Sequence, residues 1–173
     1  MSGTASLIRT GGGRIAEIGE LLALARDTAE RVGRRLAQDA TEGLRAHGVH
    51  PEHPREVKAL ADAVLEQEIL ADLMPTGISI LSEEAGLLTA GNDDTLRFIV
   101  DPLDGTFNFV HGLGPWAVSI ALWQRTEPVF GVVYSAGDDA VFWGGPGIGS
   151  FRGDDPITVS QASDRARASV CTG

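Results

Sequence analysis

Two segments in the first half of the chain have the hydrophobic spacing of amphipathic helices. From residue 15 to about residue 44, apolar residues return every three or four positions with charged residues between them. This spacing places the apolar side chains on one face of a helix. A second helix is predicted from about residue 60 to residue 73, and the proline-rich segment 47–56 before it is predicted to be a loop.

After Pro75 the hydrophobic period becomes that of strands. Short apolar runs rich in β-branched residues, bounded by polar or Gly-rich segments, predict buried strands. They cover residues 78–81, 96–100, 117–124, 128–135 and 140–145, with two shorter strands within 149–160. The Gly-Asp-Asp segment at 137–139 is a hairpin turn signal. The pattern therefore predicts an α+β fold, with two N-terminal helices packed on a largely antiparallel sheet.

The first residues differ in character from the rest of the chain. Residues 1–14 contain three consecutive glycines without a preceding apolar strand, so they are predicted to be a flexible lead-in and not a phosphate loop. No repeat or low-complexity tract interrupts the remainder. Residues 15–173 are therefore assigned to one domain.

Composition limits the classes of partner. A formal net charge of -10 would repel a nucleic-acid backbone or an anionic membrane surface, so neither is predicted as a partner. The single cysteine, Cys171, excludes an intrachain disulfide and favours a reducing compartment. No run approaches the ~20 apolar residues of a membrane-spanning helix, and the N-terminus has no signal-peptide core. We expect a cytoplasmic protein.

The segment DPLDGT at 101–106 concentrates groups that bind metals and anions. Asp101 follows a predicted buried strand, where a rigid element can aim its side chain, and Asp104 adds a second carboxylate. Gly105 permits a tight turn, and Thr106 is predicted to be the N-cap of a short helical turn. Free amides at such a helix start favour a phosphate group.

A second acidic pair, Glu83 and Glu84, follows another predicted strand. Two acidic strand ends at one edge of the sheet would supply the oxygen ligands that Mg²⁺ prefers. A structural reading stays open, because Asp-Pro and Asp-Gly are common turn dipeptides and acidic pairs at strand ends are commonly solvated. The combination of all these features favours a metal site beside a phosphate cradle.

These segments resemble the inositol monophosphatase superfamily of Mg²⁺-dependent, lithium-sensitive phosphatases. DPLDGTFNF (101–109) matches the family motif D-P-[ILV]-D-G-T-x-N-F, and SEEAG (82–86) resembles its G-E-E-S element. The resemblance runs from about residue 15 onward. It implies the N-terminal half of a layered α/β/α/β/α fold, and direct hydrolysis of a phosphate monoester by metal-activated water.

The resemblance also implies roles for individual residues. Glu83, Asp101 and the backbone carbonyl of Leu103 would bind one Mg²⁺, and Asp101 with Asp104 would hold a second ion. The family's second site is completed by an aspartate in a C-terminal W-D-x-A motif, whereas every tryptophan here is followed by Ala, Gln or Gly. The resemblance therefore identifies 15–173 as the N-terminal metal-binding domain, with the C-terminal α/β half absent.

The remaining roles concern phosphate and water. The resemblance implies that Gly105 and Thr106 bind phosphate, and that Thr106 with Asp62 positions and deprotonates the attacking water. The family usually carries V-T-x-x-D before this aspartate, whereas this chain has KALAD at 58–62. Lys58 would either favour a second anionic group on the substrate or stand solvated at a helix start.

Two classes of function remain open at this stage. The first is hydrolysis of inositol monophosphate or a sugar phosphate, favoured by the FNF sequence at 107–109, with fructose 1,6-bisphosphate or 3'-phosphoadenosine 5'-phosphate as alternative substrates. The second is a catalytically incomplete relative that binds a metal or a phosphorylated metabolite for regulation. In both, an exposed apolar sheet face would favour a homo-oligomer or a completing C-terminal half as partner.

Overall fold

The computed structural model describes the backbone of residues 7–9, 15–46, 54–89 and 95–161, and the side chains of 18–38, 63–89 and 95–161. The helices are α1 (Ile18–Ala46), α2 (Pro54–Leu73) and α3 (Thr106–Val110), with a 3₁₀ turn at Met74–Thr76. The strands are β1 (Leu7–Arg9), β2 (Ile15–Glu17), β3 (Ser79–Ser82), β4 (Gly86–Leu88), β5 (Leu96–Asp104), β6 (Ala117–Gln124), β7 (Glu127–Ser135), β8 (Ala140–Gly145), β9 (Gly149–Arg152) and β10 (Asp155–Pro156).

Eight strands form one sheet in the order β10-β9-β8-β7-β6-β5-β3-β4. Every neighbouring pair is antiparallel except β3 and β5, which run parallel. The predicted α+β class, with helices on a largely antiparallel sheet, is confirmed. The parallel pair matters for function, because strands that run the same way deliver their following residues to the same sheet edge.

The core lies between the sheet and the two long helices, since α1 contacts β6, β7 and β8 while α2 contacts β5. Apolar residues at helical spacing on α1 face alternate residues of the strands, as the hydrophobic pattern predicts. The fully or nearly buried residues include Leu21, Ala25, Ala29 and Val32 from α1, Ile69 and Leu73 from α2, and Phe98, Val118, Ile120, Phe130 and Val132 from the sheet.

A glycine within α1 lets the helix approach the sheet closely. A Cβ atom on Gly33 would lie 2.1 Å from Cδ1 of Tyr134 in β7, and this separation is too short for two carbon atoms. The Tyr134 ring therefore occupies the space that any other side chain at position 33 would fill. Glycine weakens a helix interior by about 1 kcal/mol relative to alanine, so packing decides this position.

The opposite face of the sheet carries exposed apolar side chains. Leu81, Ile99 and Val133 are 36%, 36% and 37% exposed, and Leu87 in β4 is 52% exposed. Leu81 pairs with both Ile99 and Leu87, so three of these side chains form a row across neighbouring strands. An apolar sheet face is thus present, and its coverage by another chain stays a prediction.

The predicted start of the first helix is wrong. The helix begins at Ile18, because Ile15–Glu17 forms strand β2 and pairs with Leu7–Arg9. Strand β1 (Leu7–Arg9) lies within the segment 1–14, and the flexibility of that segment stays a prediction. Three residues are too few for a periodicity to distinguish a strand from the first turn of a helix. The extent of the domain, 15–173, stays a prediction, and Cys171 lies outside the described residues.

The second helix also begins earlier than predicted, at Pro54 in place of about residue 60. Proline is tolerated in the first helical turn because the amide it lacks has no intrahelical acceptor there. Asp62 and Lys58 therefore lie within α2, but their side chains are outside the described part of the chain. Among the helices that the structure describes, none combines the length and apolar character needed to cross a membrane.

Candidate metal and phosphate site

The parallel pairing of β3 and β5 brings two acidic residues together. Ser82 is in register with Val100, and the amide of Glu83 donates a hydrogen bond of 3.1 Å to the carbonyl oxygen of Val100. The ladder thus continues one residue beyond β3, and Glu83 comes to lie beside Asp101. The sequence placed each acid after a buried strand, and the parallel pairing places them at one edge.

A β-bulge in β5 turns a third carboxylate toward the same face. Asp101 pairs with Ser119 and Asp104 pairs with Ala117, so three steps along β5 correspond to two steps along β6. Residues three apart in a regular strand point to opposite faces, whereas their partners here, two apart, share one face. The bulge therefore allows a D-x-x-D spacing to present both aspartates on one side of the sheet.

The electrostatic environment of Asp101 is unfavourable for its charge. Burial, the negative charge of Glu83, a hydrogen bond with the Glu83 side chain and the charge of Asp104 together raise the pKa of Asp101 from 3.8 to about 6. One backbone contact opposes this rise, because the amide of Leu103 donates a 3.1 Å hydrogen bond to Oδ1 of Asp101. Carboxylates held this close repel each other unless a proton or a cation lies between them.

The Leu103 carbonyl is held by the residue that begins α3. Oγ1 of Thr106 donates a 2.9 Å hydrogen bond to the carbonyl oxygen of Leu103. The oxygen has two lone pairs, so one remains for a further ligand. The prediction that Thr106 is the N-cap is wrong, because Gly105 occupies that position and Thr106 is the first residue of the helix.

Gly105 is required at its position for two independent reasons. Its φ of 83° lies in the left-handed region, which side chains with a Cβ atom rarely adopt. A Cβ atom there would also lie 3.0 Å from the carbonyl oxygen of Pro115 and 3.3 Å from Cα of Trp116. The backbone can therefore turn sharply from Asp104 into α3, as the sequence predicts for this glycine.

The loop after α3 is tied back to the same turn. Nδ2 of Asn108 donates a 2.8 Å hydrogen bond to the carbonyl oxygen of Pro115, and Phe109 packs edge-on against Trp116 with 5.5 Å between ring centroids. Phe107 projects outward with 68% of its surface exposed. The first-turn amides of α3 have no intrahelical acceptor by geometry, and the assignment of Gly105 and Thr106 to phosphate stays a prediction.

The predicted metal ligands are only partly assembled. Glu83 and Asp101 are in contact, and Asp104 shares their face. Considering the side chains that the structure describes, no group of three His, Cys, Asp or Glu residues stands ready to hold a metal ion. The donor chemistry nevertheless fits a hard cation, because two carboxylates and a carbonyl oxygen lie along one strand end and the carboxylates repel each other.

Glu66 of α2 is a residue of this site that the sequence pattern does not predict. Its Oε1 accepts hydrogen bonds from Oγ of Ser82 at 2.5 Å and from the amide of Ala85 at 2.9 Å. The two donors flank Glu83, the acidic residue that meets Asp101. The available signal was the position of Glu66 four residues after Asp62, since residues four apart share one face of a helix.

The known proteins with similar sequences are named as phosphatases. The profile of the Inositol monophosphatase family matches residues 17–173. The inositol-1-monophosphatase of Mesorhizobium japonicum is 37% identical over 134 residues, covering 76% of this chain and 50% of that protein. The fructose-1,6-bisphosphatase of Pyrococcus furiosus is 33% identical over 105 residues, covering 61% of this chain and 41% of that protein.

Solved structures with a similar fold also match this chain over about half of their own length. The extragenic suppressor protein suhB from Bartonella henselae superposes with a TM-score of 0.70 at 33% identity, covering 83% of this chain and 55% of that chain. An inositol monophosphatase from Anabaena (Nostoc) superposes with a TM-score of 0.63 at 29% identity, covering 85% of this chain and 52% of that chain. This chain spans about half the length of the relatives it matches.

Proposed function

Because this chain belongs to the inositol monophosphatase family, we propose that it carries the acidic part of the active site of a phosphatase acting on a small phosphate monoester. The observation that carries the proposal is the contact between Glu83 and Asp101 at the point where the parallel pairing of β3 with β5 ends. The family of the chain favours phosphoester chemistry at this site over a purely structural acidic cluster.

The carboxylates fit a role in holding Mg²⁺. Glu83, Asp101 and the carbonyl oxygen of Leu103 would bind one ion, and Asp101 with Asp104 would bind a second. When bound, Mg²⁺ supplies charge neutralisation, contacts to phosphate oxygens and a lowered pKa of its water. The unfavourable charge on Asp101 supports this role, because repulsion between neighbouring carboxylates is relieved only by a cation or a proton.

Thr106 is suited to hold the attacking water as a hydrogen-bond acceptor. Its hydroxyl proton is directed at the carbonyl oxygen of Leu103, so its lone pairs remain to accept a hydrogen bond from water. A threonine hydroxyl is a poor base, and Asp62 of α2 is the proposed carboxylate that takes the proton. Gly105 and Thr106 would bind the phosphate through their backbone amides.

Inositol monophosphate or a sugar phosphate is the proposed substrate. Relatives named inositol-1-monophosphatase and fructose-1,6-bisphosphatase support this class without choosing between its members. The FNF segment at 107–109 favours it over 3'-phosphoadenosine 5'-phosphate. Lys58 would add a contact to a second anionic group if its side chain enters the site, which favours testing a bisphosphate.

The test is phosphate release by the purified protein from inositol 1-phosphate, fructose 1,6-bisphosphate and 3'-phosphoadenosine 5'-phosphate, with and without Mg²⁺. Hydrolysis that requires Mg²⁺ and is lost in Asp104→Asn supports the proposal. Glu127→Gln is the matched control, because it removes a carboxylate from the first residue of β7, at the end of the sheet far from Asp101 and Asp104. Turnover by Asp104→Asn equal to that of the unmodified protein would contradict the proposed role of the site.

A metal-binding regulatory protein is the second candidate, favoured by the incomplete cluster of carboxylates in the described residues. Calorimetric titration separates the two functions. Binding of Mg²⁺ and phosphate without hydrolysis of any ester in the panel would favour regulation. Turnover together with binding would favour the enzyme.

The proposed partners are a small phosphorylated metabolite and, on the apolar face of the sheet, a second copy of the chain or a completing C-terminal half. The exposed Leu81, Leu87, Ile99 and Val133 support such coverage. A cytoplasmic location remains part of the proposal. Light scattering of the purified protein tests self-association, and a monomer over a wide concentration range would contradict it.

A further inference from the structure

Glu66 connects helix α2 to the turn that carries Glu83. Its Oε1 accepts one hydrogen bond from the Ser82 hydroxyl and one from the Ala85 amide, at 2.5 and 2.9 Å. Ser82 is only 2% exposed, so its hydroxyl depends on a protein partner in the absence of bulk water. A carboxylate that accepts two such bonds is a strong anchor for a turn.

Glu66 bonds residues that lie on both sides of Glu83 in the sequence. Ser82 precedes it directly and Ala85 follows two residues later, while the amide of Glu83 itself is bonded to the carbonyl oxygen of Val100. The turn is therefore held from the helix by Glu66 and from the sheet by β5. Without Glu66 the Ala85 end of the turn would lose its bond to α2, whereas the Glu83 bond to β5 and the Ser82–Gly86 pairing with β4 would remain.

The same helix carries the proposed water-activating residue. Asp62 lies one helical turn before Glu66 on α2, and residues four apart share a helix face. Glu66 thus links the turn of one proposed metal ligand to the helix of the proposed base. A shift of the turn relative to α2 would change the spacing between Glu83 and Asp62 as well as that between Glu83 and Asp101.

We propose that Glu66 is a positioning residue that fixes the Glu83 turn against α2 and thereby sets the geometry of the Glu83–Asp101 pair. Its effect on hydrolysis rests on the function proposed above, whereas its effect on the turn does not. The role requires an oxygen atom that accepts two hydrogen bonds and not a negative charge, because Oε1 of Glu66 is the acceptor in both bonds. A glutamine carbonyl oxygen can accept the same two bonds.

The experiment compares Glu66→Ala, Glu66→Gln and, as a matched control, Gln67→Ala at the exposed neighbouring position of α2. Hydrogen exchange reports the protection of the Ala85 amide, and calorimetry reports Mg²⁺ affinity. For Glu66→Ala we expect Ala85 to exchange about tenfold faster or more, and Mg²⁺ to bind roughly 10-fold more weakly. Glu66→Gln should stay within about threefold of the unmodified protein in both, as should Gln67→Ala.

Ser82→Ala is a milder variant that keeps Glu66 and removes one of its two donors. Ser82→Ala should change the Ala85 exchange rate and the Mg²⁺ affinity in the same direction as Glu66→Ala, but by less. It replaces Glu66→Ala in the experiment if that variant does not fold. Catalytic constants add a third readout. A loss of Mg²⁺ affinity in Glu66→Ala that Glu66→Gln restores, with kcat recovered at saturating Mg²⁺, is expected for a positioning residue.

Two results would overturn the proposal. An unchanged Ala85 exchange rate in Glu66→Ala would show that the carboxylate does not hold the turn. Loss of Mg²⁺ affinity in Glu66→Gln as large as that in Glu66→Ala, with Ala85 still protected, would assign Glu66 a charge role instead. If the unmodified protein binds no Mg²⁺ or hydrolyses no ester, the proposed function fails, and the exchange rates alone decide whether Glu66 positions the turn.

Discussion

Asp101 in β5 and Asp139 in the turn before β8 belong to the same sheet region but have opposite electrostatic environments. Asp139 accepts hydrogen bonds from Nε of Arg34 and from the Tyr134 hydroxyl, each 3.1 Å long, and these contacts lower the pKa of its carboxyl. Asp101 is partly buried beside Glu83, and its pKa is raised to about 6. One carboxylate is stabilised by its partners, whereas the other is held among like charges.

The difference separates a structural ion pair from a candidate functional site. Around Asp139, a cation and a phenol hydroxyl satisfy the carboxylate, so the arrangement requires no further ligand. Around Asp101, backbone pairing of β3 with β5 holds acidic side chains together against their repulsion. A sheet sustains such local repulsion because the rest of its core provides the stability, and perturbed carboxylates of this kind mark candidate functional sites.

The largest expected effect that separates the two aspartates is on activity. Asp101→Asn should lower Mg²⁺-dependent turnover by about 10²-fold or more, because it removes a charge shared by both proposed metal positions. Asp139→Asn should leave turnover within about twofold of the unmodified protein. Steady-state assays of both variants at several Mg²⁺ concentrations make the comparison. Equal losses in the two variants would remove the distinction between the sites.

The turns next to the two aspartates should also differ in their tolerance of alanine. Gly105→Ala introduces a Cβ atom 3.0 Å from the carbonyl oxygen of Pro115 at a φ of +83°. It should cost about 2 kcal/mol in the free energy of unfolding. A Cβ atom on Gly137, before Asp139, meets nothing within 4 Å. Gly137→Ala should change stability by less than about 0.5 kcal/mol in denaturant unfolding.

A third prediction concerns stability in the absence of metal. Because the pKa of Asp101 is raised, its carboxyl contributes stability that is fully present below the unfolded pKa of 3.8. This contribution is lost as the pH rises through the folded pKa of about 6. In a chelator at about pH 8, Asp101→Asn should therefore be more stable than the unmodified protein by about 1 kcal/mol, a value reduced for partial solvent exposure.

Urea unfolding at two pH values checks this sign. The gain from Asp101→Asn should vanish at about pH 4, where the unmodified carboxyl is protonated and resembles the amide in charge. Saturating Mg²⁺ should reverse the order at the higher pH, since only the unmodified protein gains stability by binding the ion. An Asp101→Asn protein that is less stable in chelator would show that Glu83 and Asp101 do not repel each other.

The smallest expected effect is at Asp139, and it has the opposite pH dependence. The pKa of this carboxyl is lowered, so its contribution to stability is present above the unfolded pKa of 3.8 and is lost as pH falls through the folded value. Asp139→Asn should lower Tm slightly at neutral pH, by about 2 °C or less, and not at all in strong acid. Calorimetric scans at both pH values measure it, and a larger loss in acid would contradict the assigned sign.

Local patterns predicted the elements well where a segment is regular along its length. The strands at 117–124 and 140–145 have the predicted bounds, and the hairpin turn at 137–139 joins the predicted partners. In the strand at 117–124 buried and half-buried side chains alternate three times, whereas the strand at 140–145 is marked by its apolar run between two turn segments. Strand β4 (Gly86–Leu88) was missed because three residues carry no period.

The candidate site was predicted in composition but not in geometry. The sequence located Asp101 and Glu83 at strand ends, and the structure places them side by side. The bulge between Asp101 and Asp104 was not predicted, because a bulge is a mismatch between two strands and neither strand contains it alone. Glu66 was missed for a related reason, since its partners Ser82 and Ala85 lie 16 and 19 residues further along the chain.

The sequence by itself determined the α+β class, the buried faces of the elements and the acidic character of one sheet edge. Those properties follow from side-chain polarity and from periods of 3.6 and 2 residues, and both are local. The tertiary structure decided which carboxylates meet and how their pKa values shift. Distance and desolvation set the pKa of Asp101, and both arise only when β3 pairs in parallel with β5 and β6 pairs with β5 across the bulge.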